Sequence, residues 1–489
     1  MKNISFWAGK VLSAVLVCAA VALIICLAKL QMLPAVILVV LAEVLIILIG
    51  VVAYLTWTGH GKVKMTVGIT LAVITAVCLA LGINYIAKAL NTFDAISGGQ
   101  TETVHVGIYV RSDDTNEYND VAASYRYGIL QSIDRESTDI ALQELNESLD
   151  TQVTCREYKR LPELVDGLLN REVDAIIINQ ALLDLLQDMV GYEDKVNYIR
   201  EAVLKKVEIE APPESKDPEE NGNAQEETDI TKKPFGLYIS GIDTRGSVAT
   251  RSRSDVNILA VVNPETHQVL LVSTPRDYFV PLSISEGIPD KLTHAGIYGV
   301  NVSKDTLGLL YGIDMDYYFR VNFSGFERII DALGGVTVNS SFAFTSHGYT
   351  FVKGENELNG EAALAFCRER YSLAGGDRQR GKHQMAVIKA VINKAMSPAL
   401  LKNYSEVLKA IEGNFETTVP MEVISALVSE QLKNGGAWNV VTYSVDGTGD
   451  YQIPYSMSQS AYVMQPNYET VEHAKSLIQS VLNGEVPKP

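Results

Sequence analysis

PFGLYISGIDTRGSVATRSRSDVNILAVVNPETHQVLLVSTPRD, residues 234–277, decides how the C-terminal half of this chain folds. Apolar runs at 235–239, 256–262 and 269–273 read as three strands, with a turn expected at 263–266 between the second and third. Charge collects where these strands start or stop, in SGIDTR (240–245), RSRSD (251–255) and STPRD (273–277). Ligands of α/β sheets sit at strand ends, and charges on strands buried on both faces are not casual surface decoration.

A second charged segment, FCRERYSLAGGDRQRGKHQ, occupies 366–384. Arg368, Arg370, Arg378, Arg380 and Lys382 outnumber Glu369 and Asp377, a local excess of +3 in a chain whose formal charge is −17. Asp377 is placed to N-cap a helix continuing to about residue 396, with Asp377, Arg380 and Gln384 on one face. Met385, Ile388, Val391 and Ala395 supply its apolar stripe. Convergent guanidinium groups suit a pyrophosphate, because they stay charged and bind phosphate bidentately. Carboxylates beside them make sense if a hard cation such as Mg²⁺ bridges carboxylate and phosphate oxygens. Charge alone leaves a second reading open, a solvated salt-bridge network.

Between the two segments lies YYFRVNFSGFERIIDALGGVTV, 317–338. Ser324 and Glu327 are spaced as a capping box, and Gly334 gives a helix stop. The stripe of Phe326, Ile329, Ile330 and Leu333 fits ordinary core packing or a groove for a lipid tail.

At 489 residues the chain has room for two soluble cores besides a membrane part. Apolar stretches at 11–28, 33–57 and 65–87 each reach the length of a membrane-spanning helix, and a cleaved signal would be one shorter run. Lys2, Lys10, Lys62 and Lys64 against Lys29 and Lys88 favour a cytoplasmic N-terminus, which puts everything after about residue 90 outside the cytoplasm. Glu43, inside the second stretch, is expected to hydrogen-bond a neighbouring helix or to serve as a buried functional carboxyl.

Residues 100–208 read as an extracytoplasmic α/β accessory domain, with strands at 104–110 and 173–178 and helices at 120–133 and 161–169. The run 164–186 loosely resembles a lobe of a periplasmic solute-binding protein; a plain spacer domain is the alternative. Residues 209–233, acidic and poor in apolar side chains, read as a disordered linker. The five cysteines show no paired spacing that would suggest a disulfide framework or a zinc site. The net negative charge argues against nucleic acid as a partner.

The ordered motifs of 234–481 resemble the LytR-CpsA-Psr family of cell-wall glycopolymer transferases: G-I-D-x-R, R-S-D, S-T-P-R-D, K-L-T-H-A at 291–295, F-x-x-I-I-D-A-L-G-G-V, and C-R-E-R-Y through G-D-R-Q-R-x-x-H-Q. The resemblance implies a catalytic domain over 234–485, behind a three-helix anchor at 1–92, with an α/β/α core, a central mixed sheet and an apolar tunnel. It also implies that Asp243 and Asp255 hold Mg²⁺ or Mn²⁺. Arg253, Arg276, Arg368, Arg370, Arg380, Gln384 and Lys291 would then hold the pyrophosphate, with Arg276, Arg368, Arg370, Asp377 and Arg380 central to activity. The implied reaction joins a polyprenyl-pyrophosphate glycan to peptidoglycan. Asp243 and Asp277 are candidates by type for the base that deprotonates the acceptor. A polyprenyl-pyrophosphate hydrolase and a non-catalytic lipid- or solute-binding membrane regulator remain as alternatives.

Overall fold

The computed structural model describes residues 2–30, 32–33, 35–58, 62–96, 101–115, 121–210, 232–242, 246–370, 376–395, 404–411 and 413–488. Asp243 and most of the acidic stretch, 211–231, lie outside them.

The chain is a membrane protein. Lys2–Leu30, Ala35–Trp57 and Lys62–Ile96 are helices containing three candidate spans, Gly9–Leu30, Ala35–Trp57 and Val63–Thr92. They pack through Leu16, Leu23, Leu45, Val52, Ala72 and Leu79, while Val15, Ile46, Ile47 and Val73 stay exposed on the outside. A helix that is apolar all round needs an apolar solvent on its outer face, which a bilayer provides. Glu43 is exposed on the outer face of the second helix.

The second unit is a five-stranded sheet ordered Thr154–Tyr158, Arg126–Leu130, Ala175–Asn179, Thr101–Arg111, Ile199–Glu210. Leu161–Leu169 is the expected helix. The helix expected over 120–133 is not there: Arg126–Leu130 is a strand, paired in parallel with both Thr154–Tyr158 and Ala175–Asn179. Sheet pairing overrides the apolar spacing, since Tyr127, Ile129 and Leu130 are all buried and Gly128 lies against Leu164. The helix comes later, at Arg135–Leu149.

The third unit is a six-stranded mixed sheet with order Phe415–Thr417, Tyr317–Asn322, Phe235–Ile242, Ser254–Asn263, Gln268–Ser273, Asn439–Ser444. Tyr317–Asn322 runs parallel to Phe235–Ile242, and Asn439–Ser444 parallel to Gln268–Ser273; the other pairings are antiparallel. Alternation along the strands builds two cores. Leu259, Val261, Leu270 and Val272 pack under the helices Val300–Tyr311 and Tyr468–Leu482, whereas Ile258, Ala260, Val269 and Leu271 face Met385 of Gly376–Ala395. The result is helix layers on both faces of the sheet.

Two local expectations are corrected. Asn322, not Ser324, caps Phe323–Ala332, its side chain accepting from the Gly325 amide at 2.7 Å, so the sequence-spaced capping box is not used. Gly334 and Gly335 end the same helix with φ of 77° and 79°, a conformation that favours glycine. The unit also meets the membrane helices: Met421 of Met421–Asn434 packs on Leu30 and Ala89, and Ser425 Oγ donates to the Leu30 carbonyl at 2.8 Å.

Candidate functional site

A cavity of about 690 Å³ opens between the sheet and the helices Phe323–Ala332, Gly360–Arg368 and Gly376–Ala395. Its character changes along Gly376–Ala395, where Arg380 and Gln384 line one part and Ile388, Val391 and Ile392 the next. At 1.5 Å per residue, Ile388 lies about 12 Å along the axis from Arg380. Phe319, Val321, Phe326, Ile329, Phe415 and Ile424 complete the apolar body. The stripe on Phe323–Ala332 therefore divides: Ile330 and Leu333 are buried in the interior, and Phe326 and Ile329 line the cavity.

The polar end brings together Asp255, Arg276, Arg368, Arg370, Arg380 and Gln384. Gly381 makes this convergence possible, since a Cβ there would stand 2.4 Å from Ser273 Oγ at the end of Gln268–Ser273. The helix thus approaches the strand end that leads directly into Arg276. Arg276 Nη1 donates to Asp255 Oδ1 at 2.8 Å, and Nε lies 3.6 Å from Asp277. Burial opposes charge on Arg276, but Asp255, Asp277, Asp188 and Asp377 hold its pKa above the ordinary value. Arg368 is exposed, with its guanidinium 4.8 Å from the centre of the Phe323 ring.

Asp377 does not act as the expected N-cap. The helix begins at Gly376, and the Asp377 carboxylate pairs with Arg380 at 2.5 Å and accepts the Arg276 amide at 3.3 Å. It holds two arginines of the site rather than lining the cavity. Asp277 is 3% exposed and enclosed by cations, with Arg276, Arg370 and Lys291 at 3.6, 3.4 and 3.9 Å. A carboxylate so occupied is a counter-ion, and a poor candidate for a base.

Lys291 and Arg253 stand behind the cavity rather than in its lining. Both reach Asp188 of the second unit, at 3.6 and 3.2 Å. Sequence reading missed Asp188, because it lies 65 residues before Arg253 in a leucine-rich run with no motif of its own. Arg378 pairs with Asp446, away from the lining. His383, within the G-D-R-Q-R-x-x-H-Q motif, stacks on Phe344 and lies tilted against Phe366, with its Nδ1 3.2 Å from the Phe366 carbonyl. It belongs to the core.

Of the two expected metal-binding carboxylates, Asp243 is outside the described residues. Asp255 Oδ1 contacts Arg276 and accepts from Thr293 Oγ1 at 3.3 Å, leaving Oδ2 without a protein partner among the described residues. No group of three or more His, Cys, Asp or Glu among those residues could hold a metal by itself. One open carboxylate oxygen beside convergent arginines fits Mg²⁺, which keeps waters and uses one or two carboxylates plus phosphate oxygens.

Residues 197–476 match the model of the LytR_cpsA_psr family. The polyisoprenyl-teichoic acid–peptidoglycan teichoic acid transferase TagU of Bacillus subtilis (strain 168) is 35% identical over 225 residues, spanning 46% of this chain and 72% of that protein. The protein of the same name from Enterococcus faecalis (strain ATCC 700802 / V583) is 34% identical over 224 residues, 45% of this chain and 73% of its own. The crystal structure of B. subtilis TagV covers 52% of this chain and 98% of its own, with 28% identity and a TM-score of 0.44.

Proposed function

The chain belongs to the LytR_cpsA_psr family, and from that premise we propose that it transfers a polyprenyl-pyrophosphate-linked glycopolymer onto peptidoglycan, on the outer side of the membrane. Teichoic acid is the polymer in the names of its relatives. The observation that carries the reading is the single cavity joining arginines to a long apolar body. A lipid pyrophosphate has the same polarity: a multiply charged head and a hydrocarbon tail. The tail's route is supported by Val419 and Ile424 of the lining, which flank Met421 where it packs on the membrane helices. The four lysines flanking the spans on one side against two on the other support an extracytoplasmic domain.

In the reaction an acceptor hydroxyl attacks the phosphorus that carries the glycan. An O–P bond forms, the phosphoanhydride bond breaks, and polyprenyl phosphate leaves with the electron pair while the hydroxyl proton passes to solvent. Arg276, Arg370 and Arg380 hold the phosphate oxygens and offset the charge that builds on them, with Arg368 at the exposed rim. Asp377 keeps Arg276 and Arg380 in register. Asp255 would hold Mg²⁺, and the ion would supply further charge neutralisation when bound.

The test uses the full chain in detergent with a polyprenyl-pyrophosphate glycan, with and without Mg²⁺, beside an Arg380→Ala variant. Phosphoanhydride cleavage that needs Arg380 is expected, at least about 100-fold above the variant. Tight lipid binding without cleavage under any condition, acceptor included, would replace this reading with a binding module.

A further inference from the structure

The second unit, Thr101–Glu210 in its described elements, sends carboxylates into the RSRSD segment of the third. Residues 180–189, QALLDLLQDM, follow the strand Ala175–Asn179 as a short helix and a 3-10 turn ending at Asp188. Leu182, Leu185, Leu186 and Met189 are at most 2% exposed and share a core with Ile297 and Met457 of the third unit. The Val190 amide also donates to the Ser460 carbonyl at 3.0 Å. This apolar seat fixes the turn, and Asp188 emerges from it facing Arg253 at 3.2 Å and Lys291 at 3.6 Å.

The neighbouring arginine is held in the same way. Glu102, 1% exposed on Thr101–Arg111, pairs with Arg251 Nε at 2.7 Å and with the buried Arg320 at 3.2 Å. The main chains are joined as well, Thr103 N donating to the Ala249 carbonyl at 2.9 Å and Arg251 N to the Thr103 carbonyl at 2.8 Å. Both arginines of RSRSD are therefore gripped by carboxylates of the second unit, and two residues further on Asp255 faces the cavity. Burial opposes ionisation of Asp188, yet Lys291, Arg253, His294 and Arg276 hold its carboxyl below the ordinary range.

We propose that the second unit is a working part of the pyrophosphate site, with Asp188 a positioning residue that sets Arg253 and Lys291. Through Lys291 it also steadies Asp277, which contacts Arg276 and Arg370 of the cavity. The proposal rests on the pyrophosphate reading above. Asp188 is not a displaceable stand-in for phosphate: it does not line the cavity, and its buried flanking leucines prevent retreat without opening a core.

The experiment compares the unsubstituted full chain with Asp188→Asn and Asp188→Glu. It measures kcat and KM for donor cleavage, binding of inorganic pyrophosphate by calorimetry, and thermal melting. Asp188→Asn is expected to melt like the parent but to lose kcat by about tenfold to 100-fold, the scale of a misplaced reacting group, with KM rising less. Asp188→Glu should recover most of that loss, and pyrophosphate binding should weaken in the Asn variant alone. Unchanged kinetics and binding in Asp188→Asn overturn the proposal. Tighter pyrophosphate binding with faster turnover also overturns it, because Asp188 would then be a competing anion. So does a lowered melting temperature whose activity loss Glu does not recover, which would make Asp188 a structural pin. Failure of the parent chain both to cleave donor and to bind pyrophosphate instead removes the functional reading, and this proposal with it.

Discussion

Replacing Ile388 by Trp places an indole in the apolar body of the cavity, about 12 Å along the helix axis from Arg380. Arg380 lies two turns away and Gln384 one turn, and Ile388 faces open space on its cavity side, so the arginine end should be undisturbed. The consequence falls on the tail. Burying a CH₂ is worth about 0.8 kcal/mol, so a five-carbon isoprene unit leaving water gains at most about 4 kcal/mol. Ordering of the tail removes part of this, and about 2 kcal/mol per unit, near 30-fold in Kd, is a reasonable net increment. Titration of the full chain with water-soluble prenyl pyrophosphates of increasing length should show such an increment for every added unit. In Ile388→Trp the shortest ligand should bind as in the parent, and the increment should vanish for units reaching the indole. A length series parallel to the parent's would refute the placement of the tail in this cavity.

Other outcomes follow from the same geometry. Gly381→Val should push Gly376–Ala395 away from Ser273 and separate Arg380 from Arg276, lowering donor cleavage more than stability; kinetics and melting of the same preparation check this. Arg320→Met leaves Glu102 and Glu416 buried without their shared cation, and should cost about 3–5 kcal/mol in denaturant unfolding. Burial lowers the pKa of His383 below its ordinary value, so the fold favours the neutral ring. Its contribution to stability is present above pH 6.5 and is lost as pH falls below that value, by up to about 1.4 kcal/mol per unit. Unfolding measured between pH 7 and 5 should show this slope, and His383→Leu should lack it.

The three strands of 234–277 were legible because each is a short apolar run bounded by turn or charge signals, and the finished sheet buries both of its faces. The membrane helices were legible for a similar reason, since length and apolarity alone define them. Arg126–Leu130 was not, because its two parallel partners come from positions 154 and 175 onward and local spacing carries no trace of them. At the site, the arginines announced themselves by a charge excess foreign to an acidic chain. Their division of labour did not: Arg276 and Arg380 line the cavity whereas Arg253 and Lys291 stand behind it, a difference set by sheet register and helix approach. Asp188 was invisible for the same reason as the strand, since its meaning depends on a contact 65 residues away. The capping box failed more simply, because Asn322 offered a better-placed acceptor two residues earlier.

The central claim is transfer of the phosphorylated glycan, and the fate of the donor's phosphorus tests it most directly. The full chain would be incubated with a donor labelled with ³²P at the glycan-linked phosphorus, together with purified peptidoglycan, and the washed polymer digested and counted. The account predicts label on a muropeptide in phosphodiester linkage, stoichiometric with released polyprenyl phosphate and absent with Arg380→Ala. Label recovered only as free glycan phosphate, with peptidoglycan unmarked, would contradict it and make the protein a hydrolase.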